Sequence, residues 1–253
     1  MTELVHLDIA DGVGTITLDS QENRNALSAQ LMDELLTHLK TCGESDDVRA
    51  IVLTNAGKVF CAGADLKTAT SGGGMNTGDM MVEMLRTIAA LPKPVVVLAR
   101  GPVRAGGLGI VGAADIAIVG EDQTFAFTEA RLGLTPAIIS LTTLPRMDQR
   151  LASRWYLTGE TFDGKAAESA GLVSRAVPAD QLDAVLKETL DGLLQASPQG
   201  LAKTKELLGR DLVRHIDENG TDMVTLSEGL FASDEAREGM LAFREKRKPS
   251  WQQ

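Results

Sequence analysis

The chain has 253 residues, 43% hydrophobic and 24% charged, a composition that suits a soluble globular protein built as one large domain with at most a small appendage. A net charge of −10 and an aromatic share of only 4% argue against a nucleic-acid binder, which needs basic surface and stacking platforms. Cys42 and Cys61 have no third cysteine and no nearby histidine, which argues against a disulfide framework or a metal site and favours buried reduced thiols. The start, Met1-Thr2-Glu3-Leu4, has no basic region followed by an apolar run, and the apolar stretches fall far short of the ~20 residues that span a membrane. The expectation is a cytoplasmic protein with no membrane or nucleic-acid partner.

In chain order, Leu4 to Ile9 and the alternating Val13 to Leu18 flank Asp11-Gly12 and predict a β-hairpin. Ser28 is a good N-cap for a helix with Leu31, Leu35, Leu36 and Leu39 on one face. Arg49 to Thr54 is the next strand, and its continuous run Ala50-Ile51-Val52-Leu53 suits burial on both faces. Gly72-Gly73-Gly74 predicts a loop before a Met-rich helix with Met80, Met84, Leu85 and Ile88. Pro92 and Pro94 end that helix and lead into the strand Val95 to Leu98. Residues 107–114 read as helix, Asp115 to Val119 as strand and Thr124 to Phe127 as a short strand. Beyond about residue 130 the strand–helix alternation gives way to helical spacing over Leu141 to Leu157, Gly164 to Ala170, Ala179 to Gln195, Gly200 to Leu212 and Asp222 to Phe243. One short strand, Leu172 to Val177, interrupts them. This describes an α/β core followed by a helical tail too poor in core of its own to stand alone.

Two glycine-flanked segments stand out as candidate chemistry: Phe60-Cys61-Ala62-Gly63-Ala64-Asp65 and Ala105-Gly106-Gly107-Leu108-Gly109. Each follows an apolar strand and ends where a helix can begin, so each offers unpaired backbone N–H groups with little steric cover. Facing one point, Ala64 and Gly106 N–H groups would cradle negative charge developing on a carbonyl oxygen. The same letters also describe an ordinary strand-to-helix turn capped by Asp65, and close helix–strand packing at the second segment. Gly107-x-Gly109-x-x-Gly112 matches a dinucleotide fingerprint by letter, but Gly106 lies well beyond the end of the strand that should deliver it. Glu129, flanked by Phe125, Phe127 and small residues, is a candidate desolvated carboxyl for proton transfer near neutral pH; a surface glutamate paired with Arg131 is the alternative. His6, His38 and His215 are isolated and read as surface or packing residues.

Taken together and in order, these segments resemble the signature of the crotonase, or enoyl-CoA hydratase/isomerase, superfamily. The resemblance rests on Phe60 to Leu66, on Gly106-Gly107 ahead of Gly112 to Ile118, and on Phe125 to Gly133. It continues through Tyr156-Leu157-Thr158-Gly159-Glu160, Ala166 to Val173 and Glu238 to Arg247, so that it covers nearly the whole chain. It implies a spiral of strand–strand–helix units over residues 1–195 that binds acyl-CoA, and a C-terminal helical region over 196–253 that packs on the core and a neighbouring subunit in a homotrimer or dimer of trimers. It further implies Ala64 and Gly106 as oxyanion donors and Glu129 as the proton-transfer group. Arg24, Ala26, Ala62, Asp65 and Leu66 would line the coenzyme A path, with Phe243 and Lys246 at its far end. Coenzyme A enters as part of the substrate, and neither a prosthetic group nor a metal is implied.

One position departs from the family pattern: Gly109 stands where a typical hydratase has a second glutamate. Water addition needs a base at one carbon and an acid at the next. A single carboxylate can serve both, or can shuttle a proton between two carbons, which is isomerisation. The run Glu129 to Ser140 resembles a hydratase-like subgroup that shares this glycine. The reading is therefore an enoyl-CoA hydratase of fatty-acid or branched-acid breakdown. A Δ3,Δ2-enoyl-CoA isomerase and a non-catalytic acyl-CoA binder are the alternatives. Arg104, just before Gly106, could meet a ligand carboxylate or phosphate, or be a surface cation.

Overall fold

The computed structural model of the chain describes residues 2–64 and 77–252. In chain order they form β1 (Val5–Ala10), β2 (Val13–Leu18), α1 (Ala29–Glu44), β3 (Ala50–Asn55), α2 (Thr77–Ala90), β4 (Val95–Ala99), β5 (Val103–Arg104), α3 (Gly106–Ala113) and β6 (Ile116–Gly120). There follow β7 (Thr124–Ala126), α4 (Ala137–Thr143), α5 (Gln149–Thr158), β8 (Phe162–Asp163), α6 (Gly164–Ser169), β9 (Arg175–Val177), α7 (Leu182–Gln195), α8 (Pro198–Phe231) and α9 (Asp234–Glu245). The main sheet has the order β1-β2-β3-β4-β6-β9, with the β1/β2 hairpin antiparallel and every later pair parallel. A smaller sheet, β5-β7-β8, stands apart from it.

The apolar runs of β3 and β4 behave as their composition predicts. Successive side chains of a strand point to opposite faces, and both faces are covered. Ile51, Leu53, Val95 and Val97 join the large core shared with α1 and α2, while Val52, Val96 and Leu98 pack with Leu182 and Val185 of α7. Ser28 caps α1 as its type predicts, its hydroxyl accepting from Leu31 N–H at 3.2 Å.

Two helical expectations are corrected. The predicted Leu141–Leu157 helix is two helices, because Pro145 falls between them and Asp148 opens the second by accepting from the N–H groups of Arg150 and Leu151. Conversely, the predicted segments Gly200–Leu212 and Asp222–Phe243 are joined differently: α8 runs unbroken from Pro198 to Phe231, and α9 starts afresh after the cap Ser233. The polar letters around His215 to Thr221 conceal a stripe, Leu212, Ile216, Gly220 and Val224, that stays buried at one-turn spacing. It packs with Ala89 of α2 and Leu141 of α4, so the helical tail draws its core from the α/β part. Among the described residues no helix is long and apolar enough to cross a membrane.

Candidate active site

The two glycine-flanked segments lie side by side. A parallel bridge pairs Cys61 with Val103, and Arg104 N–H donates to Cys61 O at 2.9 Å. Further on, Gly63 lies against Ala105, each one residue ahead of Ala64 and Gly106 respectively. On its other side the first segment pairs with the chain just before α1, through the bridge Leu27–Ala64 and the bonds Leu27 N–H to Gly63 O (2.8 Å) and Ala62 N–H to Arg24 O (3.1 Å). Gly63 has φ +100°, a conformation side chains rarely adopt, and a Cβ there would sit 2.8 Å from that of Ala105. Its carbonyl is turned to Leu27, so across the trans peptide the Ala64 N–H points the opposite way. Ala105 itself has φ +43° and opens α3 directly at Gly106. Among the described residues neither the Ala64 nor the Gly106 N–H has a backbone acceptor.

A sulfur that sequence reasoning set aside joins the segments. The buried Cys61 Sγ accepts from Gly63 N–H at 3.4 Å and also from the backbone N–H of Gly107. Burial pushes this thiol up to about 12, so it stays protonated and uncharged. The glycines of α3 serve close approach. A Cβ at Gly107 would lie 2.7 Å from Cys61 Cβ, and one at Gly112 would lie 2.7 Å from Thr142 O. A Cβ at Gly109 would lie 2.8 Å from Ile139 Cγ2. This is the packing reading of the glycine triplet, not the pyrophosphate-binding one.

Glu129 opens the single 3-10 turn Glu129–Leu132 that follows β7. The residue is half-buried, but its Oε2 is shut off from solvent and has no hydrogen-bond partner among the described residues. Burial raises its carboxyl to about 7, against a smaller opposing pull from its own backbone N–H. Tyr156 of α5 lies close enough to feel the charge of Glu129 and stacks obliquely on Phe127, with ring centroids 4.3 Å apart. The place a second carboxylate would take, beside Gly109, is apolar: Ile139 fills it, with Met81 Cε next to it. Thr142 Oγ1 fastens the same helix by donating to Gly109 O at 2.9 Å.

The remaining expected residues fall as follows. Arg24, in the left-handed region at φ +60°, is exposed, Ala26 is buried and Ala62 is half-buried; all three belong to the layer carrying Leu27 and Ala64. Asp65, Leu66 and Gly72 to Gly74 lie outside the described residues. Phe243 is 66% exposed and Lys246 ends α9 with φ +55°. That helix sits on the Glu129 turn of its own chain: a Cβ at Gly239 would lie 2.5 Å from Leu132 C, and one at Gly133 would lie 2.6 Å from Glu235 C. Arg104 turns back onto its own sheet. Its guanidinium donates to Val103 O (2.9 Å), to Thr124 Oγ1 (2.8 Å) and to Thr124 O, tying β5 to β7. His38 contacts Val5 O and His215 contacts Asn219, as packing residues do.

A mostly parallel sheet with α1 and α2 on one face, α7 on the other and a long helical tail places the chain among the α/β folds. The sequence profile of the enoyl-CoA hydratase/isomerase family matches residues 8–253, and the chain belongs to that family. It is 32% identical over 246 residues to the enoyl-CoA hydratase EchA19 of Mycobacterium tuberculosis, covering 94% of this chain and 92% of that one. The crystal structure of an enoyl-CoA hydratase from Mycobacterium avium superposes with a TM-score of 0.92 at 42% identity, covering 99% of this chain and all of the other. A methylmalonyl-CoA decarboxylase shares the fold, with a TM-score of 0.86 at 23% identity over 99% of this chain and 98% of its own.

Proposed function

We propose that this protein adds water across the 2,3-double bond of an enoyl-CoA thioester. The observation that supports the reading is the Glu129 carboxyl, whose Oε2 is shut off from solvent with no hydrogen-bond partner among the described residues and which burial raises to about 7. The Ala64 and Gly106 N–H groups receive the thioester oxygen. Glu129 takes a proton from water as the water oxygen bonds to C3, and electron density moves through C2 to the oxygen as an enolate. Glu129 then returns a proton to C2, closing the cycle with one carboxylate. Each backbone donor of this kind contributes ~3–4 kcal/mol to lowering the barrier. Coenzyme A runs past Arg24, Ala26, Ala62, Asp65 and Leu66, with Phe243 and Lys246 at its far end, and no prosthetic group takes part. Residues 1–195 form the acyl-CoA-binding core. Residues 196–253 form the helical region through which subunits assemble as a trimer or dimer of trimers in the cytoplasm, serving fatty-acid or branched-acid breakdown.

A second reading, 3-enoyl to 2-enoyl isomerisation, is favoured by the apolar Ile139 and Met81 opposite Gly109, since a proton shuttle between two carbons needs no bound water. Incubation of 2-enoyl and 3-enoyl thioesters of graded chain length, read by mass spectrometry, separates the two. A hydratase gives a mass gain of one water from the 2-enoyl substrate, and Glu129→Gln reduces that rate by about 10²–10⁴-fold. Full turnover by Glu129→Gln overturns the assignment.

A further inference from the structure

Cys61 is fully buried and touches the second glycine-flanked segment on both sides of Gly106. Its carbonyl accepts from Arg104 N–H at 2.9 Å, two residues before that glycine. Its side chain lies against Gly107, one residue past it: a Cβ built there would stand 2.7 Å from Cys61 Cβ and 3.2 Å from Sγ. On its own segment the sulfur accepts from Gly63 N–H at 3.4 Å, the residue just before Ala64. One side chain therefore reaches the chain neighbours of both Ala64 and Gly106. Both amides need holding, because each follows a residue of positive φ, Gly63 at +100° and Ala105 at +43°. An alanine keeps such a backbone only where its surroundings impose it. The thiol is also neutral, so it accepts an N–H without placing a negative charge beside the amides.

We propose that Cys61 is a positioning residue: its sulfur spans the two segments and fixes the spacing and direction of the Ala64 and Gly106 N–H groups. It occupies a flanking amide, Gly63 N–H, and leaves those of Ala64 and Gly106 without a backbone acceptor among the described residues. Gly107 belongs to the same device, since any side chain there would push the sulfur away.

The proposal rests on these two amides receiving a thioester oxygen, so its test reads that carbonyl directly. Butanoyl-CoA labelled with carbon-13 at the carbonyl has no double bond to hydrate. Two donated hydrogen bonds lower its carbonyl stretch, which difference infrared spectroscopy reads on the bound ligand. In Cys61→Ala the acceptor is gone, and the stretch moves back toward that of the free thioester. Cys61→Ser keeps an acceptor of smaller radius and falls between Cys61→Ala and wild type. Turnover of a 2-enoyl thioester drops by ~10²-fold in Cys61→Ala, the scale set by misplacing a reacting group by about 1 Å. The dissociation constant of coenzyme A without an acyl group stays at its wild-type value, a split that general loosening of the fold would not give. A wild-type stretch in Cys61→Ala, equal stretches in the two variants, or a matching loss of coenzyme A affinity overturns the proposal. Should Cys61→Ala not fold, a wild-type stretch in Cys61→Ser overturns it. If the wild-type protein binds no thioester or leaves its carbonyl unshifted, the oxyanion reading of Ala64 and Gly106 falls and takes this proposal with it. A shifted wild-type carbonyl that ignores Cys61→Ala sinks the proposal alone.

Discussion

Glu129 is a cost to the fold. Its carboxyl sits near 7 in the folded chain, above the ordinary value of 4.5. The native state therefore holds this proton more tightly than the unfolded state. Its contribution to stability is fully present below pH 4.5 and is lost as pH rises through 7. Glu129→Gln, which cannot ionise, should then be more stable than wild type by about 2–3 kcal/mol at pH 8 and equally stable near pH 4. Urea unfolding at the two pH values reads this directly, and a constant difference across pH would contradict the burial argument. Gly63 carries the opposite kind of constraint. Gly63→Ala places a side chain at φ +100° and drives its Cβ to 2.8 Å from that of Ala105. The expected loss is about 1–3 kcal/mol of stability, with turnover falling further because the Ala64 N–H is turned by this residue. Thermal melting with a matched rate measurement tests both. Ala64, Gly106 and Glu129 could be proposed from the letters because small residues and apolar flanks are local signals. The letters did not say which groups Tyr156, the only tyrosine of the chain, and the Cys61 sulfur would meet, because Thr143 and Gly107 arrive from other elements.

At the scale of elements, α4 sets the surroundings of Gly109 and Tyr156. Ile139 fills the space beside Gly109, Thr142 fastens α3 through Gly109 O, and Thr143 holds Tyr156. Gly109 alone is therefore not the reason for a single carboxylate. Gly109→Glu should not create a second proton-transfer group. Its Cβ would lie 2.8 Å from Ile139 Cγ2 and 3.2 Å from Met81 Cε, and overpacking of that kind costs about 1–3 kcal/mol. Gly109→Glu combined with Ile139→Ala should regain most of that stability, which denaturant midpoints for the single and double variants would reveal. The companion role of Ile139 was not legible in the sequence, because nothing in its spacing says which glycine it will cover. Strands and capped helices were legible where burial is uniform, as in β3 and β4, or where a cap is chemically plain, as at Ser28. The boundaries failed where one signal masked another. Pro145 hides inside an otherwise helical pattern, and the polar run His215 to Thr221 hides a buried stripe.

On the scale of the whole molecule, the tail is held by one buried cation as well as by its apolar stripe. Lys205 of α8 is 5% exposed and its Nζ donates to Asp115 Oδ2 (2.8 Å), Ile88 O (2.8 Å) and Lys93 O (2.9 Å). These acceptors come from the start of β6, the end of α2 and the approach to β4, so one ammonium group ties the long helix to the sheet. Burial draws Lys205 below the ordinary lysine range while Asp115 pulls it back up. Asp115 also accepts from Val95 N–H at 2.7 Å, so it stays fixed whether or not the lysine is there. Lys205→Met then leaves a carboxylate and two inward carbonyls without their donor, which costs about 3 kcal/mol. Adding Asp115→Asn removes the stranded charge, so the double variant should be more stable than Lys205→Met alone. Equilibrium unfolding of the two variants gives the order. If Lys205→Met unfolds like wild type, the apolar packing of Leu212 and Ile216 on α2 and α4 holds α8 without the lysine.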